Sequence, residues 1–109
     1  MANTFKLKTK ANVGVTTVGI YTAPAATTTV VIGITLANTS ASGVNVGVGI
    51  TRAGTTEDVK LLKNAPIPQG SSLEFMSGNK IVLEATDTVT VDSDTNNSVD
   101  AALTIMEIT

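Results

Sequence analysis

Apolar residues occupy every second position through much of the chain, the period of a strand with one buried face. In the clearest run Val44, Val46, Val48 and Ile50 alternate with Asn45, Gly47, Gly49 and Thr51. A second run sets Val30, Ile32, Ile34 and Leu36 on one face and Val31, Gly33, Thr35 and Ala37 on the other. Further strands are expected over 5–10, 15–21, 59–62, 72–76, 80–83, 88–92 and 99–108. The last shifts phase between Ile105 and Ile108, which predicts a bulge. No segment carries the apolar stripe of an amphipathic helix.

Turn-forming residues separate these runs. They include Ala23-Pro24, Thr39-Ser40-Ala41-Ser42-Gly43, Ala53-Gly54, Pro66-Ile67-Pro68-Gln69-Gly70, Ser77-Gly78-Asn79 and the polar stretch 92–98. Short strands at this spacing predict one all-β domain over residues 1–109. The expected architecture is an antiparallel β-sandwich, Ig-like or jelly-roll-like, of about eight strands without significant helix.

If 30–38 and 44–52 form a hairpin about Ala41, a symmetric register sets Ile34 beside Val48 and Leu36 beside Val46. Thr35 then meets Gly47, and Gly33 meets Gly49, on a nearly flat opposite face. Glycine within a strand forgoes packing and marks close approach by another backbone. Gly33, Thr35, Ala37, Asn45, Gly47, Gly49 and Thr51 are therefore candidate subunit-interface residues, covered by a neighbouring subunit or by the N-terminal strand. The competing reading is a solvent face built from small residues. Pro66 and Pro68 join the candidates as a contact loop, against the plainer reading of a crossover between strands.

Composition narrows the function. Aromatics are 3% of the chain, so the core is expected to be Val, Ile, Leu and Ala. Charged residues are 15%, below the roughly 25% of an average domain. Net charge is −2, which leaves no basic surplus for phosphates and argues against nucleic-acid binding. A sparsely charged surface of Thr, Ser, Gly and Ala suits partial coverage, so a homo-oligomer is expected. The N-terminus lacks a signal-peptide pattern, and no run approaches the ~20 apolar residues of a membrane span, so synthesis in the cytoplasm is expected.

Candidate chemistry is sparse. The chain has no histidine and no cysteine, which removes the commonest base, the strongest nucleophile and the usual transition-metal ligands. Glu57, Asp58, Glu74, Glu84 and Asp87 flank turns and strand ends, and read as solvated rims rather than an acid/base pair. Asp92-x-Asp94-x-Asn96, with Ser98 and Asp100, resembles the start of a calcium loop. Asn97 stands where that loop needs glycine, and Leu103 where it needs a bidentate glutamate, so a plain turn is the competing reading. Lys6, Lys8 and Lys10 give one strand a basic edge, either a contact for an acidic neighbour or a guard against edge-to-edge aggregation. No enzyme activity and no cofactor are expected.

The run Asn64-Ala65-Pro66-Ile67-Pro68-Gln69-Gly70-Ser71-Ser72-Leu73-Glu74 continues through Gly78-Asn79-Lys80-Ile81-Val82-Leu83-Glu84-Ala85-Thr86-Asp87. With Tyr21-Thr22-Ala23-Pro24-Ala25 and 30–38, it resembles small virion structural proteins of tailed bacteriophages, especially marine and cyanobacterial phages. The resemblance implies a β-sandwich in rings or trimers on capsid, neck or tail, located in the virion. Its implied partners are copies of itself and other virion proteins. It transfers no catalytic residues. The alternative expectation is a module that binds host-surface carbohydrate through its loops.

Overall fold

The computed structural model describes residues 3–74 and 80–109. The expected strand end at 75–76 and the turn at 77–79 lie outside the described residues. The strands are β1 (Asn3–Val13), β2 (Val18–Thr22), β3 (Thr28–Asn38), β4 (Val44–Arg52), β5 (Glu57–Ile67), β6 (Ser72–Glu74), β7 (Ile81–Leu83), β8 (Thr88–Ser93) and β9 (Val99–Ile108).

They form two antiparallel sheets packed face to face. Sheet A runs β1-β9-β3, with β6 and β7 both paired to β3; sheet B runs β2-β8-β4-β5. β6 pairs with Thr35, Leu36 and Ala37, whereas β7 pairs with Thr29, Val30 and Val31. The two short strands thus share one edge, and the sandwich has eight strand positions. Successive strands through β4 alternate between the sheets, the winding of a jelly roll.

The core lies between the sheets. Ile34, Leu36, Leu103, Ile105 and Val99 come from sheet A and Val46, Val48 and Val91 from sheet B, each at most 1% exposed. Small β-branched residues fit a pleated surface and interdigitate without rings. The packing is tight: Val31, Ile34, Val48, Ile50, Val89 and Leu103 help line a residual void of about 10 Å³, near the lower limit for one water.

Three expectations need correction. First, 30–38 and 44–52 do not form a hairpin: β3 belongs to sheet A and β4 to sheet B. Both strands carry aliphatic side chains that need an apolar layer opposite, so Ile34 and Val48 meet across the core rather than side by side. The intervening loop is a crossover pinned by Asn38, whose Nδ2 donates to Ser42 O at 2.9 Å and Ile67 O at 3.0 Å. The true hairpin is β4–β5, closed by the pair Arg52 and Glu57.

Second, β3 does not keep one phase. Its register against β9 shifts between Val31 and Gly33. Thr29 and Val31 point inward before the shift, Ile34 and Leu36 after it, and Val30 and Ile32 are only half-buried. Third, β9 has no bulge at 105–108: its pairing with β1 runs unbroken from Ala101 to Ile108. The inward position between those isoleucines is Glu107, a carboxylate taking a core place.

Candidate functional site

The outward face of sheet A carries the strongest candidate for a contact surface. Directly paired residues on antiparallel neighbours share a face. Phe5 pairs with Met106, Met106 with Val30, and Val30 with Val82, so an apolar row crosses four strands. Phe5 is 69% exposed, Val82 59%, and Leu7, one step along β1, 64%. These side chains lie outside the core, where water would favour polar groups.

Further along the same face the residues become small. Thr9 pairs with Ala102, and Ala102 with Thr35, which also meets Glu74. A shallow groove of about 310 Å³ runs here, lined by Thr9, Ala11, Thr35, Ala37 and Ala102 among others. A Cβ added at Gly33, beside this groove, would meet no atom within 4 Å. Gly33, Thr35 and Ala37 thus face outward together on one smooth surface.

The remaining candidates lie elsewhere. Asn45, Gly47, Gly49 and Thr51 belong to β4 in sheet B. Gly47 and Gly49 are buried, and the chain's own residues fill the space above them. A Cβ at Gly47 would lie 2.5 Å from Asp92 Oδ1, and one at Gly49 2.9 Å from Val59 O. The close approach expected at these glycines is therefore made by neighbouring β5 and β8. Pro66, one residue before the end of β5, is exposed, and Pro68 O accepts a 3.1 Å hydrogen bond from Ser71 N in the turn that follows.

A buried polar network, which the alternation pattern concealed, ties β1 to the sandwich. Tyr21 OH donates to Glu107 Oε2 at 2.6 Å, and the Thr29 hydroxyl, 2.7 Å from the tyrosine oxygen, supplies the other bond. Lys6 Nζ lies 2.9 Å from Glu107 Oε1. The tyrosine hydrogen bond foremost, and then Lys6, hold the Glu107 carboxyl below its ordinary value. Burial foremost, and then Glu107, push the Tyr21 phenol up to about 12. The one readable signal was an acidic residue in phase with Val99, Ala101, Leu103 and Ile105.

The other carboxylates are used locally. Asp92 Oδ2 accepts from Thr17 Oγ1, Asp94 Oδ1 from Asn45 N, and Asp100 Oδ1 from Asn12 N. These groups serve different strands and loops rather than one centre, and no cluster of three or more metal-ligating side chains occurs among the described residues. Glu84 and Asp87 both lie against the Arg52 guanidinium, with Asp87 Oδ2 3.1 Å from Nε. The Nε–H does not point along a hydrogen bond, so that contact is an ion pair. It raises the Arg52 pKa further, mainly through Asp87. The adjoining cleft of about 450 Å³ has Ile50, Val59, Ile81 and Val82 as apolar walls. Arg52 is the cationic group there, and the carboxylates of Glu84 and Asp87, which also line the cleft, already occupy it.

Comparison with known proteins shows likeness at the level of structure. No protein-family model and no curated protein matches the sequence. The fold is similar to a protein of Bacillus endospore appendages, described as a family of disulfide-linked pili. The TM-score is 0.60 at 15% identity, covering 99% of this chain and 87% of that one. It is also similar to a protein of the T13 infectious bursal disease virus particle, with TM-score 0.58 and 13% identity over 96% of this chain. The Gx strain of that virus gives 0.54 and 14% over 97%. This chain spans 30% and 29% of those viral chains. At such identities the likeness establishes the fold.

Proposed function

We propose that this protein is a non-enzymatic structural subunit of a bacteriophage virion, a capsid decoration, neck or tail component that acts through contacts with neighbouring subunits. The observation that carries the reading is the outward face of sheet A. A row of Phe5, Met106, Val30 and Val82, exposed at its two ends and half-buried between them, adjoins a smooth groove that includes Thr35 and Ala37. Large contiguous apolar surface is rarely left to water and marks contact sites.

The neighbours in structure space come from a pilus and from virus particles, which supports an assembly role. The resemblance of 64–74 and 78–87 to tailed-phage virion proteins supports the narrower reading. The pilus neighbour is described as disulfide-linked. This chain has no cysteine, so its own contacts are not disulfide-linked. Each is weak, and symmetry multiplies it across many copies. Gly33, Thr35 and Ala37 join the apolar row in the proposed interface. Asn45, Thr51, Pro66 and Pro68 face other directions, suited to second neighbours in a lattice or ring.

The test is the copy number of this protein in purified particles of its source phage, by quantitative mass spectrometry against the major capsid protein. A number near that of the capsid protein is expected for a decoration, and a few rings' worth for neck or tail. Absence from clean particles contradicts the proposal.

A further inference from the structure

The first strand offers a second kind of contact. Among the described residues β1 pairs only with β9, so its other backbone edge is open. Natural sheets blunt such edges with bulges, proline or short strands. β5 is interrupted by two register shifts and carries Pro66; β2 has five residues and a shift of its own; β6 and β7 have three residues each. β1 is regular from Asn3 to Lys10, with no glycine or proline.

Its two faces carry opposite chemistry. Phe5, Leu7 and Thr9 point outward. Lys6, Lys8 and Lys10 pair with Ile105, Leu103 and Ala101, and so form a column on the other face. Lys6 is matched by Glu107. Lys8 and Lys10 have no ion-pair partner among the described residues, and Lys10 is exposed.

This column selects the occupant. A second copy of β1 across its middle registers sets lysine directly opposite lysine, which is destabilising. An incoming strand with carboxylates on alternate residues meets opposite charge at Lys8 and Lys10. This chain does not contain one: Asp92 and Asp94 are its only carboxylates two residues apart, and Asp92 lies within β8, inside sheet B.

We propose that the open edge of β1 takes up an extended segment of a different protein, in which acidic and apolar side chains alternate. The segment adds a sixth strand to sheet A, its carboxylates toward the lysines and its apolar residues continuing from Phe5 and Leu7. The backbone supplies the hydrogen bonds and the side chains the choice of partner. The same charges that exclude a second β1 attract this one. The inference rests on the subunit-contact reading but not on a virion location.

The test uses the full chain and a capped, fluorophore-labelled peptide of alternating Glu and Val, as long as β1. One control alternates Lys and Val; the other has the same composition as the first peptide with its glutamates in one block. Anisotropy is expected to show the alternating acidic peptide binding about tenfold more tightly than either control at low salt. Amide shifts should fall on 3–10. In Lys8→Glu/Lys10→Glu, at one half-buried and one exposed position, preference should reverse toward the Lys/Val peptide. Equal binding of all three peptides, shifts confined elsewhere, or no reversal in a folded variant overturns the inference and leaves the lysines as an aggregation guard. Such a failure leaves the particle copy number untouched, so the two proposals fail separately.

Discussion

Glycines alternating with branched aliphatic residues look alike in the sequence, yet Gly33, Gly47 and Gly49 have different neighbours. Gly33 faces open space, Gly47 faces a carboxylate that can swing aside, and Gly49 faces the Val59 carbonyl, which is fixed in a sheet. Gly33→Ala is therefore expected to stabilise slightly, by about 0.5 kcal/mol, through reduced freedom of the unfolded chain. Gly49→Ala should cost about 1–3 kcal/mol as overpacking, with Gly47→Ala between them. Urea unfolding of the three variants gives the ranking, and equal midpoints for Gly33→Ala and Gly49→Ala would contradict it. Tyr21 gives a second residue-scale prediction. Its phenol rises from 10.0 to about 12 in the folded protein, so its contribution is complete below pH 10 and is lost as pH climbs toward 12. Glu107 is shifted downward, so its contribution holds above the ordinary carboxylate range and is lost as pH falls through the lower folded value. Tyr21 is the only tyrosine and there is no tryptophan, so phenolate absorbance reports this group alone. Tyr21→Phe should destabilise by about 1–2 kcal/mol near neutrality and remove the alkaline loss; an unchanged alkaline limb would show that the network does not cause it.

At the scale of elements, alternation located most strands and the inward set of β4, because four branched residues in strict phase admit one reading. It failed where a strand breaks its own period. In β3 the bulge at Val31–Gly33 turns Val30 outward; Gly33 marks the place, but a glycine within a strand signals a bulge and a close approach alike. In β9 the inward carboxylate Glu107 mimicked a phase shift, since its partners Tyr21 and Lys6 come from 86 and roughly 100 residues away. The false hairpin arose because sequence proximity favours pairing of neighbours, whereas two strands with largely apolar inner faces gain more by facing each other. Asn38 enforces that choice by binding both Ser42 O and Ile67 O and accepting from Ser40 N. Asn38→Ala leaves those groups unpaired at the crossover and should cost about 1–3 kcal/mol. Thermal unfolding checks this, and a change below about 0.5 kcal/mol would mean that the loop holds itself.

For the molecule as a whole, the sandwich spreads its surface chemistry unevenly. Sheet A exposes an apolar row, a smooth groove and an open strand edge, while sheet B ends in an irregular, proline-bearing β5. The sequence disclosed the low charge, the lack of histidine and cysteine and the outward phase of Gly33, Thr35 and Ala37. It did not disclose that Phe5, Met106, Val30 and Val82 align, because they come from four strands brought together only by the jelly-roll winding. The central claim is that this face is covered in the assembled particle. Since the chain lacks cysteine, a single thiol can report it. Thr104→Cys lies mid-face between Leu7 and Gly33, and Lys63→Cys lies on β5 of sheet B. Maleimide labelling of each variant, free and in purified particles, makes the comparison. The account predicts that both thiols react in the free protein and that assembly protects position 104 far more than position 63. Equal labelling at position 104 in free and assembled protein would contradict it.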